Sequence, residues 1–130
     1  MTADNALKIF SVGFFGYGLI EVFFRGYTHW SMLLTGGACL LTLSYFDLAY
    51  KNAPLLLKAL GGSVIITVFE FFVGIIVNLL FHMNVWDYSL LPFNLLGQIC
   101  LPFSIIWFFI CLVLLITSKL LYRLNQYLQL

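Results

Sequence analysis

Charge is what this chain has least of. Six Lys and Arg and five Asp and Glu are all that its 130 residues carry, 8% of the chain, where soluble globular domains run near ~25%. With 63% of the residues hydrophobic, that is too little polar surface to cover a water-soluble fold. A net charge of +1 leaves no basic excess for nucleic acid and no acidic excess either. Cysteine is sparse too: Cys39, Cys100 and Cys111 are odd in number and lie in apolar stretches, which excludes a disulfide framework and leaves small packing residues. No G-x-x-x-x-G-K-[ST] loop is present, so the chain does not itself carry an ATPase site. Linkers, low-complexity tracts and clear internal repeats are absent, and a single domain over 1–130 is expected.

Long apolar runs are what remains. A helix needs roughly 20 apolar residues to cross a bilayer, and four stretches qualify: 6–24, 30–48, 55–81 and 95–122. The expected fold class is all-α, a polytopic membrane protein with four transmembrane helices in the lipid bilayer of a cell inner (cytoplasmic) membrane. Lys8 before the first run resembles the start of a signal peptide, but no A-x-A pattern follows and Glu21 and Arg25 interrupt it, so this span is expected to be retained. Lys8, Lys51, Lys58, Lys119 and Arg123 fall on one side and only Arg25 on the other, which predicts both termini in the cytoplasm. Aromatic belts agree, with Tyr27, Trp30, Trp86 and Tyr88 at the outer interface and Tyr45, Tyr50, Tyr122 and Tyr127 at the inner one. The final LLYRLNQYLQL reads either as an amphipathic extension or as a frayed helix end.

The third span carries the sharpest pattern. Ser63, Thr67, Glu70, Gly74 and Asn78 advance by three or four residues and share one helix face. Softer stripes run along the second span (Ser31, Thr35, Ala38, Thr42, Tyr45) and the first (Gly18, Glu21, Arg25), and the stripes are expected to face each other. Helix packing accounts for the hydroxyls and glycines. It does not account for Glu70, because an acidic side chain at mid-membrane costs at least ~2.5–3.5 kcal/mol. Glu21 and Glu70 each lie fifteen residues past the start of their spans, about 22 Å deep, so the two carboxyls are expected at one level. Glu21 and Arg25 are spaced for an ion pair along the helix, the plainer alternative being an Arg25 that only snorkels to headgroups.

The connection 82–94, HMNVWDYSLLPFN, is too apolar for a solvated loop and is expected to fold back over the outer mouth. Asn94 and Gln98, one turn apart at the start of span four, are expected to point into the same polar region, with Pro102 kinking that helix. His29 and His82 with Asp87 lack tight metal-ligand spacing, so neither a metal nor a cofactor is expected. The candidate polar cluster is Glu21, Arg25, His29, Trp30, Glu70, Asn78, Trp86, Asp87, Asn94 and Gln98.

EVFFRGYTHWSMLLTGG (21–37), ITVFEFFVGIIVN (66–78) and VWDYSLLPFNLLGQICL (85–101), with the specific WDYS-x-x-PFN followed by GQICL, resemble the bacterial family described as "putative ABC-transporter type IV", CmpB-like small integral membrane proteins. The resemblance runs from Gly13 to about Trp107 and implies a small polytopic bacterial membrane protein, without the family's name fixing a mechanism. The favoured function is a transporter- or channel-like component that binds a small ion or polar solute in the outer half of the membrane. Four helices hardly enclose a wide pore, so a homo-oligomer or another membrane protein is the expected partner. The alternative is a structural or regulatory membrane subunit. A membrane-embedded enzyme acting on a lipid-linked substrate ranks third, since no nucleophile sits at recognisable spacing from a base.

Overall fold

The computed structural model describes residues 1–129. Helix α1 spans Ala3–Arg25, α2 Trp30–Ala49 and α3 Leu55–Gly74, the last continuing as a π-helical stretch, Ile75–Leu80. Two short strands, β1 (Asn94–Leu95) and β2 (Ile99–Cys100), precede α4 (Leu101–Leu128). All four helices, α3 with its π-helical end, are long and apolar enough to cross a membrane.

Local chemistry sets the ends. The Thr2 side chain accepts the Asn5 N–H at 3.2 Å to start α1, and Gly26, at φ 78°, ends it in the left-handed conformation that glycine adopts without strain. The His29 ring caps α2 by accepting the Ser31 N–H at 3.3 Å. Pro54 stands just before α3.

Packing follows chain order: α1 lies on α2, α2 on α3 and α3 on α4, while the backbones of α1 and α4 scarcely meet. The bundle is therefore open along one seam. Glycines set the closest approach of α1 and α2, where a Cβ on Gly13 would stand 2.5 Å from the Gly36 carbonyl oxygen. One core cluster gathers Cys39, Ala59, Ile66, Trp107 and Cys111 inside the bundle, and a second gathers Met32, Val77, Val85 and Trp86 at the end that carries the α1–α2 and α3–α4 connections. Elsewhere large apolar side chains such as Phe23, Phe72 and Phe109 point outward, as they do when hydrocarbon is the solvent.

Three expectations change. Span four does not begin at residue 95: β1 and β2 pair there as an antiparallel hairpin, Asn94 opposite Cys100 and Leu95 opposite Ile99. Its turn puts Leu96 at φ 53° and Gly97 at φ 71°, with the Gln98 N–H donating to the Leu95 carbonyl at 3.0 Å, a tight hairpin turn that a helix cannot continue. Pro102 consequently lies in the first turn of α4, where its missing N–H costs nothing, and it kinks no helix. The stripes of α2 and α3 do not bond each other. The Thr35 and Thr42 hydroxyls donate back to the carbonyls of Ser31 and Ala38 in their own helix, at 2.7 and 2.8 Å. Those of α3 turn to α4 instead: the Ser63 hydroxyl donates to the Ser104 carbonyl at 2.6 Å, and Thr67 pairs with the Ser104 hydroxyl at 2.8 Å. At the far end α4 runs as helix through Leu128, taking in most of the LLYRLNQYLQL tail; its last residue, Leu130, lies outside the described residues.

Candidate functional site

The centre of the α3 stripe is Glu70, a carboxylate only 3% exposed. Its Oε1 accepts the Tyr88 hydroxyl at 2.9 Å and its Oε2 accepts the Trp107 indole N–H at 3.1 Å. Three separate elements meet on one carboxyl group: α3, α4 and the α3–α4 loop. Among the described residues no Lys, Arg or His forms an ion pair with it. Burial, and then the nearby Glu70 charge, push the Tyr88 phenol above its usual range, so it stays a neutral donor at working pH. The same ring stacks on Phe103 at 4.6 Å between centroids and 11° between planes. From the other side of the open seam, Tyr17 of α1 tilts against Trp107 at 6.0 Å.

The loop is pinned where the π-helical stretch ends. Asn78 Nδ2 donates to Gln98 Oε1 at 2.8 Å, and Asn78 Oδ1 accepts the Val85 N–H at 2.7 Å. Gln98 in turn donates from Nε2 to the Leu96 carbonyl at 2.9 Å, and its own carbonyl accepts the Trp86 indole N–H at 2.9 Å. Every polar atom of this buried set that the seat requires is thereby paired, which is the condition for a polar network inside hydrocarbon. Gly74 makes room for it: a Cβ there would stand 2.6 Å from Gln98 Oε1 and 3.0 Å from Trp86 Cζ2.

A second carboxyl closes the loop end of α1. Glu21 Oε2 lies 3.1 Å from Arg25 Nε, an ion pair one turn apart, yet neither atom has a partner at hydrogen-bonding angle. The distance makes the pair electrostatic, and both atoms are shut off from solvent. Arg25 also donates from Nη2 to the Val85 carbonyl at 3.1 Å and covers the Tyr27 ring at 4.6 Å, so α1 is tied to the loop through its last residue.

Between α1 and α4 these groups enclose a cavity of about 400 Å³, walled by Tyr17, Glu21, Arg25, Trp86, Tyr88 and Trp107. A smaller one of about 190 Å³ adjoins it across Tyr17 and Trp107 and reaches Glu70 and Thr35. Farther along the seam a third, about 440 Å³, ends at Lys8 and the Lys58–Asp47 pair, whose Nζ–Oδ1 distance is 2.6 Å. The seam is hollow over much of its length.

A family model described as "Putative ABC-transporter type IV" matches residues 7–129. The chain belongs to this family. The family's name points to transport, and four helices of this length and apolarity make the chain a multi-pass membrane protein. No curated protein and no solved structure matches it significantly.

In this family member the ten sequence candidates separate. Glu21, Arg25 and Trp86 line the large cavity, Glu70 the adjoining one, and Asn78 and Gln98 hold the loop beside them. The other four do not join. His29 caps α2, its Nδ1 paired with the Ser31 hydroxyl at 2.6 Å, and Trp30 lies 58% exposed at the first turn of that helix. Asp87 is exposed and accepts the Ser89 N–H at 2.9 Å, a backbone hydrogen bond that holds its carboxyl below the usual range. Asn94 does not point the way Gln98 does: it is exposed and donates to the carbonyls of Leu91 and Ser89 at 2.9 and 3.2 Å, because the hairpin turn between the two residues replaces the helical turn that would have stacked them. Three wall residues were missed: Tyr17, Tyr88 and Trp107. A signal existed for the last. Trp107 is an indole N–H placed well inside an apolar span, a donor that hydrocarbon cannot satisfy, and the acidic side chain of another span is its natural acceptor.

Proposed function

We propose that the chain is the membrane component of a transport system, and that a small ion or polar solute occupies the cavity between α1 and α4. The observation that carries this is Glu70: an acidic side chain in a spanning helix, held by two neutral donors, with no cation paired to it and a cavity at its side. Two neutral hydrogen bonds offset only part of the cost of a mid-membrane carboxyl, and such a group marks a pathway or binding site by default. The five basic residues at the opposite end support a site in the half of the membrane away from the cytoplasm.

The loop serves as the cover. His82, Asn84, Phe93 and Leu96 adopt φ values of 52°, 50°, 54° and 53°, a left-handed conformation that His and Asn take readily but that is unusual for the bulky Phe93 and Leu96. The loop's bonds to Glu70 through Tyr88, to Asn78 and Arg25 through Val85 and to Gln98 through Trp86 hold it over the cavity.

Flux through proteoliposomes tests the reading, with candidate ions and solutes on the outside and Glu70→Gln as the comparison. Wild type carries flux and Glu70→Gln loses most of it. Equal flux in a folded Glu70→Gln overturns the assignment. One observation favours a second reading, a structural or regulatory subunit: both Glu70 oxygens are already satisfied inside the fold. A stoichiometric partner that co-purifies equally with wild type and Glu70→Gln is the result that would support it.

A further inference from the structure

Resting on that reading, we infer that the cargo is a monovalent lipophilic organic cation, which enters the cavity sideways from the bilayer through the open α1–α4 seam. Charge, wall chemistry and access each point the same way.

The cavity and its neighbour hold two carboxyls, Glu21 and Glu70, and one guanidinium, Arg25. Arg25 is matched to Glu21 at 3.1 Å, which leaves Glu70 as the uncompensated group when both carboxyls are ionised. A single positive charge completes the balance, and an anion would face two carboxylates with the only cation already engaged. Aromatic faces are the second feature. Tyr17, Trp86, Tyr88, Phe103 and Trp107 come from α1, the loop and α4 to form much of the wall, and ring faces attract substituted ammonium and similar cations. Two of these rings are the hydrogen-bond donors to Glu70, so the carboxylate lies directly behind the wall it charges. A hydrated metal cation would need several oxygen ligands, and a sugar many hydrogen bonds, whereas this wall is mainly carbon.

Access fits the lipophilic character. The backbones of α1 and α4 scarcely meet, so only side chains such as Tyr17 and Trp107 stand between the cavity and the acyl chains, and a ligand that partitions into lipid can reach it there. About 400 Å³ suits a cation with several apolar substituents.

Tetraphenylphosphonium is the probe, titrated onto the purified full chain in lipid nanodiscs by equilibrium dialysis, with tetraphenylborate as the same shape of opposite charge. The phosphonium binds saturably at one site per chain, and the borate shows only unsaturable partitioning. Glu70→Gln weakens phosphonium binding about tenfold. Tyr88→Leu, which removes a ring without altering a spanning helix, weakens it about fivefold, and Tyr88→Phe keeps it within about twofold. Equal binding of the two probes, or phosphonium binding unchanged in both Glu70→Gln and Tyr88→Leu, overturns the inference. Failure here is separable from failure of the transport reading: Glu70-dependent flux of another solute without phosphonium binding removes the organic cation alone, whereas phosphonium binding without any Glu70-dependent flux removes transport and leaves a cation receptor.

Discussion

Tyr88, in the loop, reaches back to Glu70, in the interior of α3, and donates its hydroxyl at 2.9 Å. Eighteen residues separate them in sequence. Because the other carboxyl oxygen accepts from Trp107 at 3.1 Å, one acidic group fastens the loop to α3 and α3 to α4 together. A group that took Glu70 as its partner would compete with the bond from Tyr88.

Asn78 tests how firmly that loop is held. Asn78→Ala removes the acceptor of the Val85 N–H and the donor to Gln98, leaving two buried groups unpaired at about 1–3 kcal/mol each. The thermal midpoint of the protein in detergent falls, and limited proteolysis cuts the segment around residue 85 faster. A midpoint and a cleavage rate equal to wild type would mean that the network is not what seats the loop.

The helices were legible in the sequence because hydrocarbon imposes one demand, a long apolar run, and the first three predicted spans end within a few residues of the observed ones. The fourth was misplaced because Leu95, Leu96, Ile99 and Cys100 merge with the run that follows them, and apolarity does not distinguish a short apolar hairpin from the first turns of a helix. Gly97 was the one local sign of the turn. The α3 stripe was legible from spacing alone. Its partner was not, since a polar face says which side is buried and not which helix lies against it: Ser104 of α4, absent from the sequence candidates, took the place assigned to α2. Trp107 and Tyr88 acquire their roles only when α4 and the loop are folded onto Glu70.

Glycine positions make a paired test of helix approach. Gly13→Ala drives a Cβ to 2.5 Å from the Gly36 carbonyl oxygen, a backbone atom that cannot step aside, and destabilises the α1–α2 hairpin by about 1–3 kcal/mol. Gly16→Ala, one turn on, meets nothing within 4 Å and is neutral or stabilises by up to about 1 kcal/mol through helix propensity. Denaturation midpoints in one detergent compare the two. Equal effects would sink the claim that Gly13 is kept for close approach.

Asp87 separates the loop's own stability from the site. Its carboxyl is depressed chiefly by the Ser89 backbone N–H, so its contribution is complete above the unfolded carboxylate range near ~4 and is lost as pH falls through the still lower folded value. Between pH 6 and pH 8 no stability change arises from this group. Asp87→Ala relaxes the local turn, seen as faster amide exchange at Ser89, while flux stays at the wild-type level because the side chain is exposed and lies outside the cavity. Loss of flux in this variant would place Asp87 in the site after all.

Trp107 and Glu70 form the pair on which the interior depends, and a double-mutant cycle reads it. Trp107→Phe keeps an aromatic body against Tyr17 but removes the N–H, leaving Glu70 Oε2 unpaired, and lowers stability by about 1–3 kcal/mol. In a Glu70→Gln background the same change costs less, because a neutral amide is the weaker acceptor and the indole has less to lose. The difference between the two costs is expected at about 1 kcal/mol or more, measured from unfolding midpoints of the four proteins. Strict additivity would show that the indole serves only to fill space between α1 and α4, and that the carboxyl is held by the Tyr88 loop alone.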